Sequence, residues 1–257
     1  MSRAHEPSPL AGPIRRPIRR ADKAGPARDC VGPGPAYDGA VNARPPFEGP
    51  PEAAAEGGVP TADRLPLDDQ TALEAVVLVP VKAFSRAKER LAPVLSPEGR
   101  AALAREMAEH VIKAARPLPV VVVCDDEEVA DWSENLGARA LREPGLGLNG
   151  AVNAAVSQLD GEGYGRLVVV HSDLPRASKL AWLADFEGIA LVPDRREDGT
   201  NAISLPAGAG FRFSYGQGSF TRHQEEARRT GLRWTVVHDP DLAWDVDTPT
   251  DMAALSP

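Results

Sequence analysis

The side chains best suited to chemistry lie just beyond the apolar runs of the chain. Ala75–Pro80 (AVVLVP) is followed by Lys82, Lys88 and Arg90, and Leu167–His171 (LVVVH) by Asp173. Asp194 follows Ile189–Pro193, and Asp245 and Asp247 follow Arg233–His238. A cationic loop at one strand end and carboxylates at others is the division of labour that phosphoryl transfer needs. Lysine and arginine hold the oxygens of a triphosphate, while carboxylates hold Mg2+, a hard ion that often takes only one or two protein ligands. The ion neutralises charge that develops as the leaving group departs. Structural readings compete: the lysine run is equally a solvated loop, and Asp245 and Asp247 could cap the next helix, although Thr248 is better placed to do so. Asp173, closing a run of four β-formers, is the hardest to assign to structure alone.

Other chemistries find less support. Gly145-Leu-Gly147-Leu-Asn-Gly150 matches G-x-G-x-x-G, but the strand before it is weak and the next strong strand ends in His171 instead of an acidic residue. We read it as a flexible turn before a helix. No histidine pair has metal-ligand spacing, and no serine sits in a G-x-S-x-G elbow. The two cysteines, Cys30 and Cys124, make neither a disulfide framework nor a metal clip, which fits a reducing, cytoplasmic setting. A net charge of −8 argues against a nucleic-acid partner. No stretch has the length and apolarity of a membrane span.

The elements that must position these residues begin near residue 73. Residues 1–72 hold 13 of the 25 prolines and no apolar periodicity, so they are expected to form a disordered extension. Residues 73–257 are expected to form one domain. Strands are predicted at Ala75–Pro80, Pro119–Cys124, Ala138–Leu141, Leu167–His171, Ile189–Pro193, Asn201–Leu205 and Arg233–His238. Ser96-Pro97 opens an amphipathic helix, Gly145–Gln158 is a glycine turn leading into a helix, and Ser219–Thr230 is a helix with Ser219 as its N-cap. Thr248-Pro249-Thr250-Asp251 starts the last helix. This alternation predicts an α/β fold with a mostly parallel sheet, whose ligands bind at the carboxyl ends of the strands.

In order along the chain stand Pro80, Lys82, Lys88, Arg90 and Leu91; Gly147–Asn149; Ser172-Asp173-Leu174-Pro175; and Pro193-Asp194 with Gly199-Thr200-Asn201. Tyr215-Gly-Gln-Gly-Ser-Phe220 with His223, and Asp245-x-Asp247-Thr248-Pro249-x-Asp251, complete the series. With these pieces the segment Ala75–Leu255 resembles the guanylyltransferases that make the enolpyruvyl or lactyl precursor of the deazaflavin coenzyme F-420. The resemblance implies a Rossmann-like fold shared with the molybdenum-cofactor nucleotidyltransferases. It also implies transfer of GMP from GTP to phosphoenolpyruvate or 2-phospho-L-lactate, with release of pyrophosphate. On it, Asp173, Asp245 and Asp247 would hold Mg2+, and Thr200, Gly216 and Ser219 the acceptor. Lys82, Lys88 and Arg90 would grip the GTP phosphates, with Asp173 and Lys82 central to catalysis, and Asn149 would help recognise the base. The expected partners are GTP and a small phosphorylated three-carbon acid, with hand-off of product to the next transferase and no organic cofactor. Two other readings stay open: a nucleotidyltransferase for another phosphorylated acceptor such as molybdopterin, and a non-catalytic nucleotide-binding module.

Overall fold

The computed structural model describes residues 75–254. The expected N-terminal extension, residues 1–72, lies outside the described residues. Seven strands are present: β1 (Val76–Pro80), β2 (Val120–Cys124), β3 (Arg139–Arg142), β4 (Arg166–Val170), β5 (Ile189–Pro193), β6 (Thr200–Pro206) and β7 (Trp234–Val236). The helices are α1 (Pro97–Ala114), α2 (Glu127–Asn135), α3 (Gly147–Asp160), α4 (Ser219–Thr230) and α5 (Pro249–Ala253). The strands form one sheet in the order β3-β2-β1-β4-β6-β5-β7.

The expected α/β architecture is present, and the sheet is mostly parallel but mixed. β6 runs antiparallel to both β4 and β5, while the other pairings are parallel. The cause is the short connection 194–199 between β5 and β6, since a parallel return needs a crossover of a dozen or more residues. Asp194 builds that turn. Its carboxylate accepts N–H bonds from Arg196 at 2.9 Å, Asp198 at 3.1 Å and Gly199 at 2.9 Å. A Cβ on Gly199 would stand 2.7 Å from Asp194 Oδ2, so the close approach requires glycine there.

β1 is buried along its whole length, as a strand covered on both faces must be. Val77 and Val79 pack with Val111 and Ile112 of α1, and Val76 and Leu78 with Val152 and Ala155 of α3. Helix starts follow the local sequence. Ser96 Oγ accepts from the Gly99 N–H at 3.1 Å ahead of Pro97, and Thr248 with Asp251 forms a capping box at α5. One expected cap is corrected: Gly218, with φ 68°, is the N-cap of α4, and Ser219 is its first helical residue. A tight turn closes there, with the Ser219 N–H donating to Gly216 O at 2.9 Å, and it needs the left-handed backbone that glycine adopts freely. The strand directions bring the loops after β1, β4, β5 and β7, together with the start of β6, to one edge of the sheet.

Candidate active site

Lys88 sits at the centre of that edge. The loop after β1 winds through two short 3-10 turns, Phe84–Arg86 and Glu89–Leu91. Between them Lys88 takes a left-handed backbone (φ 52°) and buries its side chain to 9 % exposure. Its ammonium lies 2.6 Å from Asp173 Oδ2 and 3.1 Å from Asp247 Oδ1, and Arg90 reaches the other Asp247 oxygen at 3.6 Å. Carboxylates from two distant strand ends thus meet on one cation. Burial pulls the Lys88 pKa down, but Asp173 and Asp247 outweigh it and hold the amine charged. Burial likewise pushes Asp173 up, yet the adjacent Lys88 ammonium holds it below the usual carboxylate range.

Asp245 is the strained member of the group. It is 8 % exposed, and burial, reinforced by the charges of Asp173, Asp247 and Asp194, raises its pKa to about 6. Asp245 Oδ1 and Asp173 Oδ1 are both buried without a hydrogen-bond partner, and Arg195 approaches the former only to 3.8 Å. Buried carboxylate oxygens with no donor are costly unless something cationic meets them. This donor set of hard oxygens fits a divalent ion. The expected three-carboxylate clasp is nevertheless not preformed: among the described residues no three His, Cys, Asp or Glu side chains are gathered closely enough to hold a metal. The Lys88 ammonium stands between Asp173 and Asp247 instead.

The segment carrying Asp245 and Asp247 is fixed from behind by Asp251. That carboxylate is fully buried and accepts the N–H groups of Asp247 at 3.0 Å and Thr248 at 2.8 Å. It is also paired with Arg195 and, at 2.9 Å, with Arg196. Burial acts to raise the Asp251 pKa, but these N–H donors and Arg195 win and hold it at about 2. Val246, fully buried between the two aspartates, packs with Leu91 and Met107 and so ties this segment to the Lys88 loop and α1.

Two cavities, of about 340 and 580 Å³, open beside Asp173 and Asp247, whereas Asp245 lines neither. They share Lys82, Arg86, Ser172, Asp173 and Asp247. The smaller is cationic, adding Lys88 and Arg90; the larger is more apolar, adding Val123, Leu148 and Ala151. Lys82 is exposed at their junction, and its ammonium makes no ion pair or hydrogen bond among the described residues. It is the cation of this loop left free to meet a ligand.

The remaining expected site residues are placed less directly. The Asn149 amide accepts from the Tyr215 N–H at 2.6 Å and donates to the Tyr215 carbonyl at 3.1 Å. One helical turn on, Asn153 does the same for Phe213, both bonds at 3.1 Å. Two amides on α3 therefore replace a neighbouring strand for the segment 213–215, and the Asn149 amide is committed to backbone. Asn153 was missed by sequence reasoning; its spacing from Asn149 was the available signal. Thr200 and Ser219 are buried and line neither cavity, whereas Gly216 lines the larger. His223 Nε2 accepts from the Ser214 N–H at 3.0 Å, so Nδ1 carries the proton and donates to Thr200 Oγ1 at 3.0 Å. Burial lowers the His223 pKa to about 4, which keeps this relay neutral. His171, given no role from sequence, packs against Tyr215 with ring centroids 4.7 Å apart and the rings tilted by 55°, in the wall of the larger cavity.

Residues 75–256 match the family model described as "Guanylyl transferase CofC like". The chain belongs to this family. It is therefore a nucleotidyltransferase. A phosphoenolpyruvate guanylyltransferase from Sphaerobacter thermophilus is 36% identical over 193 residues, covering 72% of this chain and 93% of the relative. Its namesake from Rubrobacter xylanophilus is 37% identical, covering 71% and 94%. A 2-phospho-L-lactate guanylyltransferase from Methanocaldococcus jannaschii is 29% identical, covering 70% and 81%. Among solved structures, a putative nucleotide-diphospho-sugar transferase from Desulfovibrio desulfuricans G20 is similar in fold, with TM-score 0.59 and 21% identity over 70% of this chain and 85% of that one.

Proposed function

We propose that this chain transfers GMP from GTP to phosphoenolpyruvate, with 2-phospho-L-lactate as the alternative acceptor, as a step of coenzyme F-420 biosynthesis. The relatives named for phosphoenolpyruvate at 36% and 37% identity favour that acceptor over those named for 2-phospho-L-lactate, at 29% and 34%. The observation that carries the reading is the convergence of Asp173 and Asp247 on Lys88, with the unpartnered oxygens of Asp173 and Asp245 alongside. Membership in the guanylyl transferase family speaks against both the molybdopterin acceptor and the non-catalytic module.

In the reaction an oxygen of the acceptor phosphate attacks the α-phosphorus of GTP in line. One P–O bond forms as the bond to the pyrophosphate oxygen breaks. The attacking phosphate is already anionic at neutral pH, so no protein base or nucleophile is required, and catalysis is positioning plus charge neutralisation. Asp173, Asp245 and Asp247 would hold Mg2+, which supplies positive charge beside the phosphate oxygens. Lys82, with Arg90 and Arg86 at the rim, receives the triphosphate in the smaller cavity. Lys88 keeps Asp173 ionised and holds both Asp173 and Asp247 in place. Gly216 presents backbone to the acceptor, Thr200 and Ser219 support that loop from beneath, and Asn149 holds Tyr215 against the cavity.

We place the reaction in the cytoplasm on the chemistry of its proposed substrates. Among the described residues no helix is long and apolar enough to cross a membrane. The product passes to the next transferase of the pathway. Pyrophosphate release tests the assignment: GTP with phosphoenolpyruvate should release it in the presence of Mg2+, and CTP should not. Equal release from CTP, or release only with molybdopterin, would overturn it.

A further inference from the structure

We propose that the Tyr215 hydroxyl and His171 Nε2 bind a ribose hydroxyl of the nucleotide and so select ribonucleotides over deoxyribonucleotides. The inference rests on the guanylyl-transfer reading above and adds a specificity pair to it. Tyr215 is 6 % exposed, and its hydroxyl and His171 Nε2 are both buried with no hydrogen-bond partner. The two rings lie against each other, centroids 4.7 Å apart and tilted by 55°, in the wall of the larger cavity. Buried polar atoms left unpaired are costly to a fold, and a ligand group that reaches those of two adjoining rings relieves the cost.

The surroundings say which group. Tyr215 is hydrogen-bonded through its backbone to Asn149, the neighbour of Leu148 in the apolar wall that suits a planar base. His171 lies two residues before Asp173, on the side where the phosphates meet Lys82. The pair therefore stands between the base wall and the phosphate end, and in a nucleotide the ribose joins those two parts. A hydroxyl both donates and accepts, so one such group serves a phenol and an imidazole nitrogen together. An acceptor carboxylate could take both as donors, but at this place it would face the Asp173 carboxylate in the same cavity wall.

The test compares GTP, 2′-deoxy-GTP and 3′-deoxy-GTP as donors to phosphoenolpyruvate with Mg2+ present. The intact protein should favour GTP over at least one deoxy analogue by about tenfold or more in kcat/KM, because losing the hydroxyl leaves buried polar groups unpaired. Tyr215→Phe, which keeps the ring and the backbone bonds, should bring that ratio to within about threefold while leaving the KM of the acceptor unchanged. Turnover of both deoxy analogues as fast as GTP overturns the pair's role, even if Tyr215→Phe does not fold, and does so without touching guanylyl transfer itself. A preserved ratio in Tyr215→Phe, or a raised acceptor KM with the ratio intact, overturns it as well. Absence of turnover with GTP itself would strike the parent reading instead.

Discussion

Lys82 and Lys88 share a loop and do different work. Lys88 is bound into the fold by Asp173 and Asp247, and removing one partner of such a buried pair leaves uncompensated charge. Lys88→Met should therefore lower stability by on the order of 3 kcal/mol, seen as an earlier urea midpoint. An unchanged midpoint would show that the two carboxylates do not depend on it. Lys82 has no such tie among the described residues, so Lys82→Ala should leave the melting temperature alone while raising the KM for GTP about tenfold, the loss of one charge-assisted contact. Steady-state titration of GTP checks this, and a fall in melting temperature with normal KM would contradict it. Sequence types and strand-end positions were enough to group Asp173, Lys82 and Lys88, which line one cavity. They did not disclose that Lys88 would occupy the space between two aspartates, because ion-pair partners distant in sequence leave no local periodicity to read.

At the scale of elements, the segment 211–220 is held by side chains from two helices: Asn149 and Asn153 on α3, and His223 on α4. His223 is fully buried, and burial keeps its pKa near 4, below the ordinary histidine value of about 6.5. The unfolded chain thus binds a proton that the folded chain refuses between those values. Stability should fall as pH drops from about 6.5 towards 4, by on the order of 3 kcal/mol from this group. Urea melts at pH 7 and 4.5 should show a smaller loss in His223→Gln than in the parent; equal losses would remove His223 as the cause. Asn153→Ala should cost about 1–3 kcal/mol by leaving the Phe213 amide groups unpaired, and should raise the acceptor KM by loosening Gly216 downstream. A variant as stable as the parent would contradict that. Element types were readable because β1, β2 and β5 are continuous apolar runs and α1 and α5 carry their caps in sequence. The reversal of β6 was available in the seven-residue gap between the predicted strands Ile189–Pro193 and Asn201–Leu205, too short for a crossover; the clip by Asn149 and Asn153 left only their i, i+4 spacing, which does not say what backbone they meet.

For the whole molecule, the described domain carries every residue given a role here, and the family match spans residues 75–256. A protein reduced to residues 73–257 should keep kcat/KM within about twofold of the full chain, because ligands of such sheets sit at the strand ends, and every strand end here lies within residues 75–254. A large loss on truncation would give residues 1–72 a part in catalysis. The sheet edge is suited to the proposed site because all strands but β6 point the same way, which turns residues scattered over the chain into neighbours. The central claim is that this edge, through Asp173, joins GMP to a phosphorylated three-carbon acid. Mass spectrometry of GTP, Mg2+ and phosphoenolpyruvate, with the parent and with Asp173→Asn at matched melting temperature, tests it most directly, with the next transferase added to trap a labile product. The account predicts the guanylylated acid and stoichiometric pyrophosphate from the parent and at least about a thousandfold less from Asp173→Asn. No guanylylated product from the parent with phosphoenolpyruvate or 2-phospho-L-lactate, or comparable product from the folded variant, would contradict it.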